Sequence, residues 1–166
     1  MLVNRIKRDW SAYTIKKCKS GRRTGKCEIC STRGVPSVIL DCDRLMRASL
    51  LKIKDPRSGK VNDCLLIEHD GILHIAVIEL KSSRYNSTQV VEQLLAGRSI
   101  ALSLLSRYSY RKKYEIHLIV VAKAHHIASR WVFYNSLKNP DGTKSRIIMA
   151  KCGDTLKSIR TRKRDR

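Results

Sequence analysis

Two apolar runs, Cys64–Ile67 and Ile72–Leu80, flank a short polar break, His69-Asp70-Gly71. Runs rich in Val, Ile and Leu around a Gly-containing break predict a β-hairpin. Taking His69-Asp70-Gly71 as a three-residue loop, with Gly71 in the left-handed position, pairs Glu68 with Ile72 and Asp63 with Val77. Side chains alternate faces along a strand, so Asp63 shares a face with Val77, Glu79 and Lys81. Asp63 and Glu79 become diagonal neighbours, roughly 7–8 Å apart between backbones. A two-residue Asp-Gly turn would put Asp63 on the other face. Two carboxylates at the diagonal spacing can converge on one divalent cation, which hard oxygen ligands favour.

The same patterning lays out the rest of the chain. Ile6, Trp10 and Tyr13 recur at helical spacing and predict an amphipathic helix over residues 4–17. Gly and Ser make 19–26 a loop, and Pro56 and Gly59 do the same for 54–60. Between them, Val38–Leu51 fits either a strand or a helix, and its β-branched start favours a strand leading into the hairpin. Ser82–Thr88 is a polar loop ending in good helix N-cap residues. Val90, Val91, Leu94, Leu95, Ala101, Leu102 and Leu105 then form a long helical stripe, in which Gly97 allows close approach to the sheet. Glu115–Ala122 is a buried strand suited to a place beside the hairpin. Residues 131–134 and 146–150 read as two further strands around the turn Asn139-Pro140-Asp141-Gly142.

Asp63, Glu79 and Lys81, set as ND-x15-ELK across adjacent strands, resemble the PD-(D/E)XK nuclease superfamily of restriction enzymes, repair nucleases and junction resolvases. Asn62 stands where the family's name has Pro. The resemblance covers about residues 38–123 and implies an α/β fold: a restriction-endonuclease-like core, with a mixed β-sheet flanked by helices and three meandering antiparallel strands at its start. It implies Mg2+ or Mn2+ held by Asp63 and Glu79, with the Leu80 carbonyl as a further ligand. Lys81 would position or activate the attacking water. Gln93, about one turn into the long helix, matches a Gln that often contacts the site or a phosphate. Asp9 could supply the acidic residue of the first helix, although pairing with Arg5 or Arg8 is the simpler reading.

Charge points to the same partner. The 166 residues carry 35 Lys and Arg against 14 Asp and Glu, a net charge of +21, with an isoelectric point near 10.2. Self-repulsion of that size is relieved by a polyanion, so nucleic acid is the expected partner, and the resemblance favours DNA over RNA. Candidate phosphate contacts are Arg5, Lys7, Arg8, Lys16, Lys17, Arg22, Arg23, Arg84, Arg107, Lys112 and Lys113. The Tyr-rich, basic stretch 106–114 could stack bases or cap a core edge. No segment has the length and apolarity of a membrane span or a signal-peptide core, which predicts a cytoplasmic protein without a membrane partner.

Six cysteines without a secretion signal predict reduced thiols or metal ligands rather than disulfides. Cys27 and Cys30 form half of a structural Zn2+ motif, with Cys18 near enough to join, but ordinary thiols are the stronger reading. The chain is expected to form one nuclease-like domain over 1–156, with a basic N-terminal extension over 1–37 and the core over 38–156. Residues 157–166 read as a basic, disordered tail. The expected activity is that of a metal-dependent endonuclease, most simply on DNA, and a homodimer is left open. The rival is a non-catalytic basic nucleic-acid-binding protein, with zinc stabilisation through Cys27 and Cys30 left open.

Overall fold

A computed structural model of the chain describes residues 1–19, 28–48, 61–81, 85–123, 125, 130, 132–133 and 146–164. Helix α1 (Leu2–Asp9) leads through a 3-10 turn to a small ribbon of β1 (Cys18–Lys19) and β2 (Glu28–Ile29). Strand β3 (Ser37–Asp41), helix α2 (Cys42–Arg47), and strands β4 (Cys64–His69) and β5 (Leu73–Lys81) follow. The long helix α3 (Ser87–Arg107) crosses to β6 (Tyr114–Ala122), and β7 (Ile147–Lys151) and α4 (Leu156–Arg164) close the chain.

These elements make an α/β protein with a five-stranded mixed sheet in the order β3-β4-β5-β6-β7. The first three strands meander antiparallel, and β5, β6 and β7 run parallel. Strand β5 is central, and all its residues but Lys81 are buried. Its sides belong to different cores. Leu73, Ile75 and Val77 pack with α1 and α3, whereas Ala76, Ile78 and Leu80 pack with Ile29 and α4 residues Leu156 and Ile159. A parallel strand covered on both faces explains its nearly unbroken apolar run.

The hairpin register differs from the expected one by two residues. His69 pairs with Leu73 and Glu68 with His74, so the three-residue loop is Asp70-Gly71-Ile72. Gly71 has φ +101°, where glycine is favoured. The observed register takes His69 into the ladder opposite the wholly buried Leu73 and leaves Ile72 in the turn, and the turn residue Asp70 pairs with Arg160 and His74. A shift of two preserves side-chain parity, so the predicted face survives.

Other boundaries also move. The first helix ends at Asp9 rather than near residue 17, and Thr14 bridges to Leu40 of β3. The described part of the 38–51 segment takes both predicted forms in turn: strand to Asp41, then α2, whose N-cap Asp41 accepts from Arg44 N. Within 131–134, Val132 and Phe133 are helical rather than extended, and Phe133 is fully buried. The expected strand at 146–150 is β7.

The basic tail is not disordered over 156–164, where it forms α4. Thr155 and Ser158 cap its start reciprocally, Thr155 N donating to Ser158 Oγ and Ser158 N to Thr155 Oγ1. Leu156 and Ile159, three apart, provide a narrow apolar edge that buries completely. Two apolar residues among so many cations are a weak pattern, which is why it reads as a charge run.

The thiols are likewise corrected. Cys18 and Cys64 form a disulfide, their Cα atoms 6.1 Å apart, tying the β1–β2 ribbon to β4. Cys152 is disulfide-bonded as well. Cys30 and Cys42 are free thiols, and Cys27 lies outside the described residues. Spacing along the chain cannot foresee that the ribbon folds back onto β4. Among the described residues, no helix is long and apolar enough to cross a membrane.

Candidate active site

Asp63 immediately precedes β4. Extending the ladder one step beyond Cys64–Ile78 sets it directly opposite Glu79. The two carboxylates therefore face each other on the α3 side of the sheet, closer than the diagonal arrangement expected from sequence. Asp63 Oδ2 accepts a 2.6 Å hydrogen bond from Leu80 N. The side chain of Glu79 is buried, and its Oε2 has no hydrogen-bond partner among the described residues.

Lys81, two residues on, forms an ion pair with Glu79 Oε1. Its Nζ also donates to Gln93 Oε1 at 3.0 Å, and Gln93 Nε2 donates to Val61 O at 3.3 Å. Gln93 is thus a buried, fully engaged member of the cluster rather than a helix-flank residue. Its placement follows from the Asn86 cap of α3, where Asn86 Oδ1 accepts from Gln89 N.

Burial, reinforced by the Asp63 charge, raises Glu79 to a pKa of about 7, outweighing Lys81. Burial also raises Asp63, against the pull of the Leu80 N–H and Lys81. Two desolvated carboxylates facing one ammonium retain an unmet demand for positive charge.

Asn62 is the residue that sequence reasoning passed over. It is fully buried, and its Nδ2 donates to Cys64 O at 2.7 Å and Ile78 O at 3.3 Å, fastening the open end of the hairpin. Helix α3 comes so close here that a Cβ on Gly97 would run into Asn62 Oδ1 and Val77 Cγ1. The close approach expected of Gly97 is therefore real. A departure from the family's Pro was the only signal at position 62.

Of the other acidic residues, Asp9 lies apart from the pair, whereas Asp41 and Asp43 are near enough for their charges to raise Asp63. Asp9 binds Arg8 at 2.9 Å and accepts from Tyr108 at 3.0 Å, near the far end of α3. Asp41 caps α2, and Asp43 pairs with Arg47 at 2.7 Å. His125, beyond the end of β6, is held by both ring nitrogens. Its Nε2 donates to Ala150 O at 2.9 Å, since a carbonyl can only accept, and Nδ1 lies 2.8 Å from Tyr85 Oη.

The basic candidates divide into groups. The guanidinium of Arg5 stacks over Tyr108 at 5.2 Å and that of Arg107 over Trp10 at 5.3 Å. Tyr108 also accepts from Trp10 Nε1, so it caps a core edge. Arg5 and Lys112 line a groove with His69 and Tyr110, and Lys7 and Lys16 line another with Thr14 and Ser37. Arg8 pairs with Asp9 and Lys17 with Glu28, while Lys113 is exposed. The Arg107 end of α3 lies roughly 20 Å from Gln93 by helical rise, so Arg107, and Arg5 stacked on the neighbouring Tyr108, do not adjoin the carboxylates. Arg22, Arg23 and Arg84 lie outside the described residues.

Comparison of the chain with known protein families, curated proteins and solved structures gives no match in any of the three.

Proposed function

We propose that this protein is a divalent-metal-dependent nuclease of the restriction-endonuclease-like type, hydrolysing phosphodiester bonds in nucleic acid, with DNA the favoured substrate. One observation carries the reading: Asp63 and Glu79 oppose each other with Lys81 on the same face, where Glu79 Oε2 is buried and has no hydrogen-bond partner among the described residues. The meander β3-β4-β5, followed by α3 and the parallel β6, supports the same core.

The residues fit a hard divalent cation. Asp63 and Glu79 would hold Mg2+ or Mn2+ through carboxylate oxygens. The N–H of Leu80 already points at Asp63, and its carbonyl shares that edge of the strand as a third oxygen. A bound cation polarises the scissile phosphate and lowers the pKa of bound water. Lys81, steadied by Gln93, orients that water and offsets charge building on the phosphate. The positive surface supplies affinity.

The Glu79–Lys81 ion pair favours one rival, a non-catalytic nucleic-acid-binding protein in which these charges only neutralise each other. Incubation with labelled single-stranded, duplex and branched DNA and with RNA, in Mg2+ or Mn2+ against EDTA, separates the two. Cleavage should require the metal and vanish in Glu79→Ala. Binding without cleavage, and Mg2+ affinity indifferent to Glu79→Ala, would favour the rival. In either case nucleic-acid affinity should fall steeply with salt, as counterion release requires. Affinity unchanged by salt would remove the electrostatic argument.

A further inference from the structure

The opposite face of the sheet carries a second polar cluster, at the other end of β5. His74 stands directly across from Glu115 in the parallel β5–β6 ladder, and His117 follows two residues after Glu115 on the same side. Both histidines are buried, while Glu115 is partly open to solvent. His74 Nδ1 lies 3.3 Å from His117 Nε2, and each lies 3.5 Å from the same oxygen, Glu115 Oε2.

Those distances form a nearly equilateral triangle. Tetrahedral zinc has Zn–N and Zn–O bonds of about 2.0–2.1 Å, which place neighbouring ligand atoms about 3.3–3.4 Å apart. The centre of the observed triangle lies about 2.0 Å from each corner, the radius such an ion needs. Asp70 Oδ1 sits 2.9 Å from the other ring nitrogen of His74. That contact lies off the N–H direction, so it acts mainly through charge, as a carboxylate behind a ligating imidazole. Asp70 is held in turn by Arg160 of α4 at 2.9 Å. Glu68, the next residue along this row, is committed to Thr32 through its backbone N and Oγ1.

We propose that His74, Glu115 and His117 bind a zinc-class divalent cation at a site separate from the Asp63–Glu79 pair. Two imidazoles and one carboxylate select a borderline transition metal over Mg2+. Three protein ligands leave a fourth position for water, on the side where Glu115 meets solvent. The rival is a plain His–His hydrogen bond with a carboxylate nearby.

Zinc analysis of the full chain after EDTA dialysis and Zn2+ reloading, with a parallel Co2+ titration followed by visible absorption, tests the site. One equivalent of zinc and a tetrahedral cobalt spectrum are expected. Glu115→Gln, a change at a partly exposed position, should weaken binding about 100-fold or more, and Asp70→Asn about tenfold. Glu79→Ala and Cys30→Ser should bind zinc as the unaltered protein does. Circular dichroism checks that each variant is folded, and His117→Gln replaces Glu115→Gln if that one is not. No zinc or cobalt binding above the Glu115→Gln level, or binding lost in Cys30→Ser instead, would overturn the proposal.

Discussion

The two ends of β5 pose opposite electrostatic problems on opposite faces of one strand. At the carboxyl end, Glu79 and Asp63 are desolvated acids in the α3 layer, with one ammonium between two carboxylates. Near the start, His74 and His117 are imidazoles in the α4 layer, with Glu115 at the solvent edge. The first cluster offers only oxygen ligands and the second mostly nitrogen, so a hard and a borderline cation would sort between them. Five residues of strand separate Glu79 from His74, roughly 16 Å. Because side chains alternate, an odd separation places them on different faces.

The largest test of this contrast is Lys81→Ala. If Lys81 acts on the water or phosphate, metal-dependent cleavage should fall about 100- to 10,000-fold while Mg2+ binding and melting temperature hold. If it merely neutralises the acids, the fold should lose about 3–5 kcal/mol instead. Zinc binding at the histidine end should not change in either case. Cleavage at the unaltered rate would end the catalytic assignment.

Leu156→Ala examines the histidine side alone. Leu156 is fully buried under α4, so its truncation should cost about 2–5 kcal/mol in denaturant unfolding. Loss of nothing measurable would mean that α4 does not dock.

Gly97→Ala strikes the acid side. The added methyl would run into Asn62 Oδ1 and Val77 Cγ1. Overpacking should cost about 1–3 kcal/mol and lower Mg2+ affinity by displacing the end of the hairpin. Zinc affinity should survive. Equal damage to both sites would show that the two faces respond as one unit.

The smallest effect is on pH dependence. Glu79 is raised from its ordinary 4.5 to about 7, mainly by burial. A cation must displace its proton below that value, so Mg2+ affinity should rise about tenfold per pH unit up to about 7 and level off above it. In the cation-free protein the sign is the reverse for stability. The contribution of Glu79 is full below about 4.5 and is lost as pH rises to about 7. Comparing Mg2+ titrations and melting temperatures of Glu79→Gln with the unaltered protein across pH 5–8 checks both slopes. Slopes that persist in the variant would assign them to other groups.

The acid cluster was legible because its relations are short-ranged. Glu79 and Lys81 share a face by strand period alone, and Asp63 reaches them through a hairpin whose loop length limits the register. Even there the loop slipped by two residues without disturbing the face. Gln93 was singled out by the family resemblance, from its place about one turn into the long helix. The histidine cluster had no such local signal. Glu115 and His117 are neighbours on one face, but His74 joins them only through a parallel pairing set by how α3 packs across the sheet.

Sequence by itself therefore determined the hairpin, the buried central strand, the long capped helix, and the face on which Asp63, Glu79 and Lys81 meet. Each follows from backbone geometry repeating over a few residues. Tertiary structure alone decided the true register, the Cys18–Cys64 bridge, the docking of α4 through Leu156 and Ile159, and the meeting of His74 with His117. Each of those depends on which distant surfaces come into contact. That is settled by packing two apolar faces against separate layers, and no spacing along the chain encodes it.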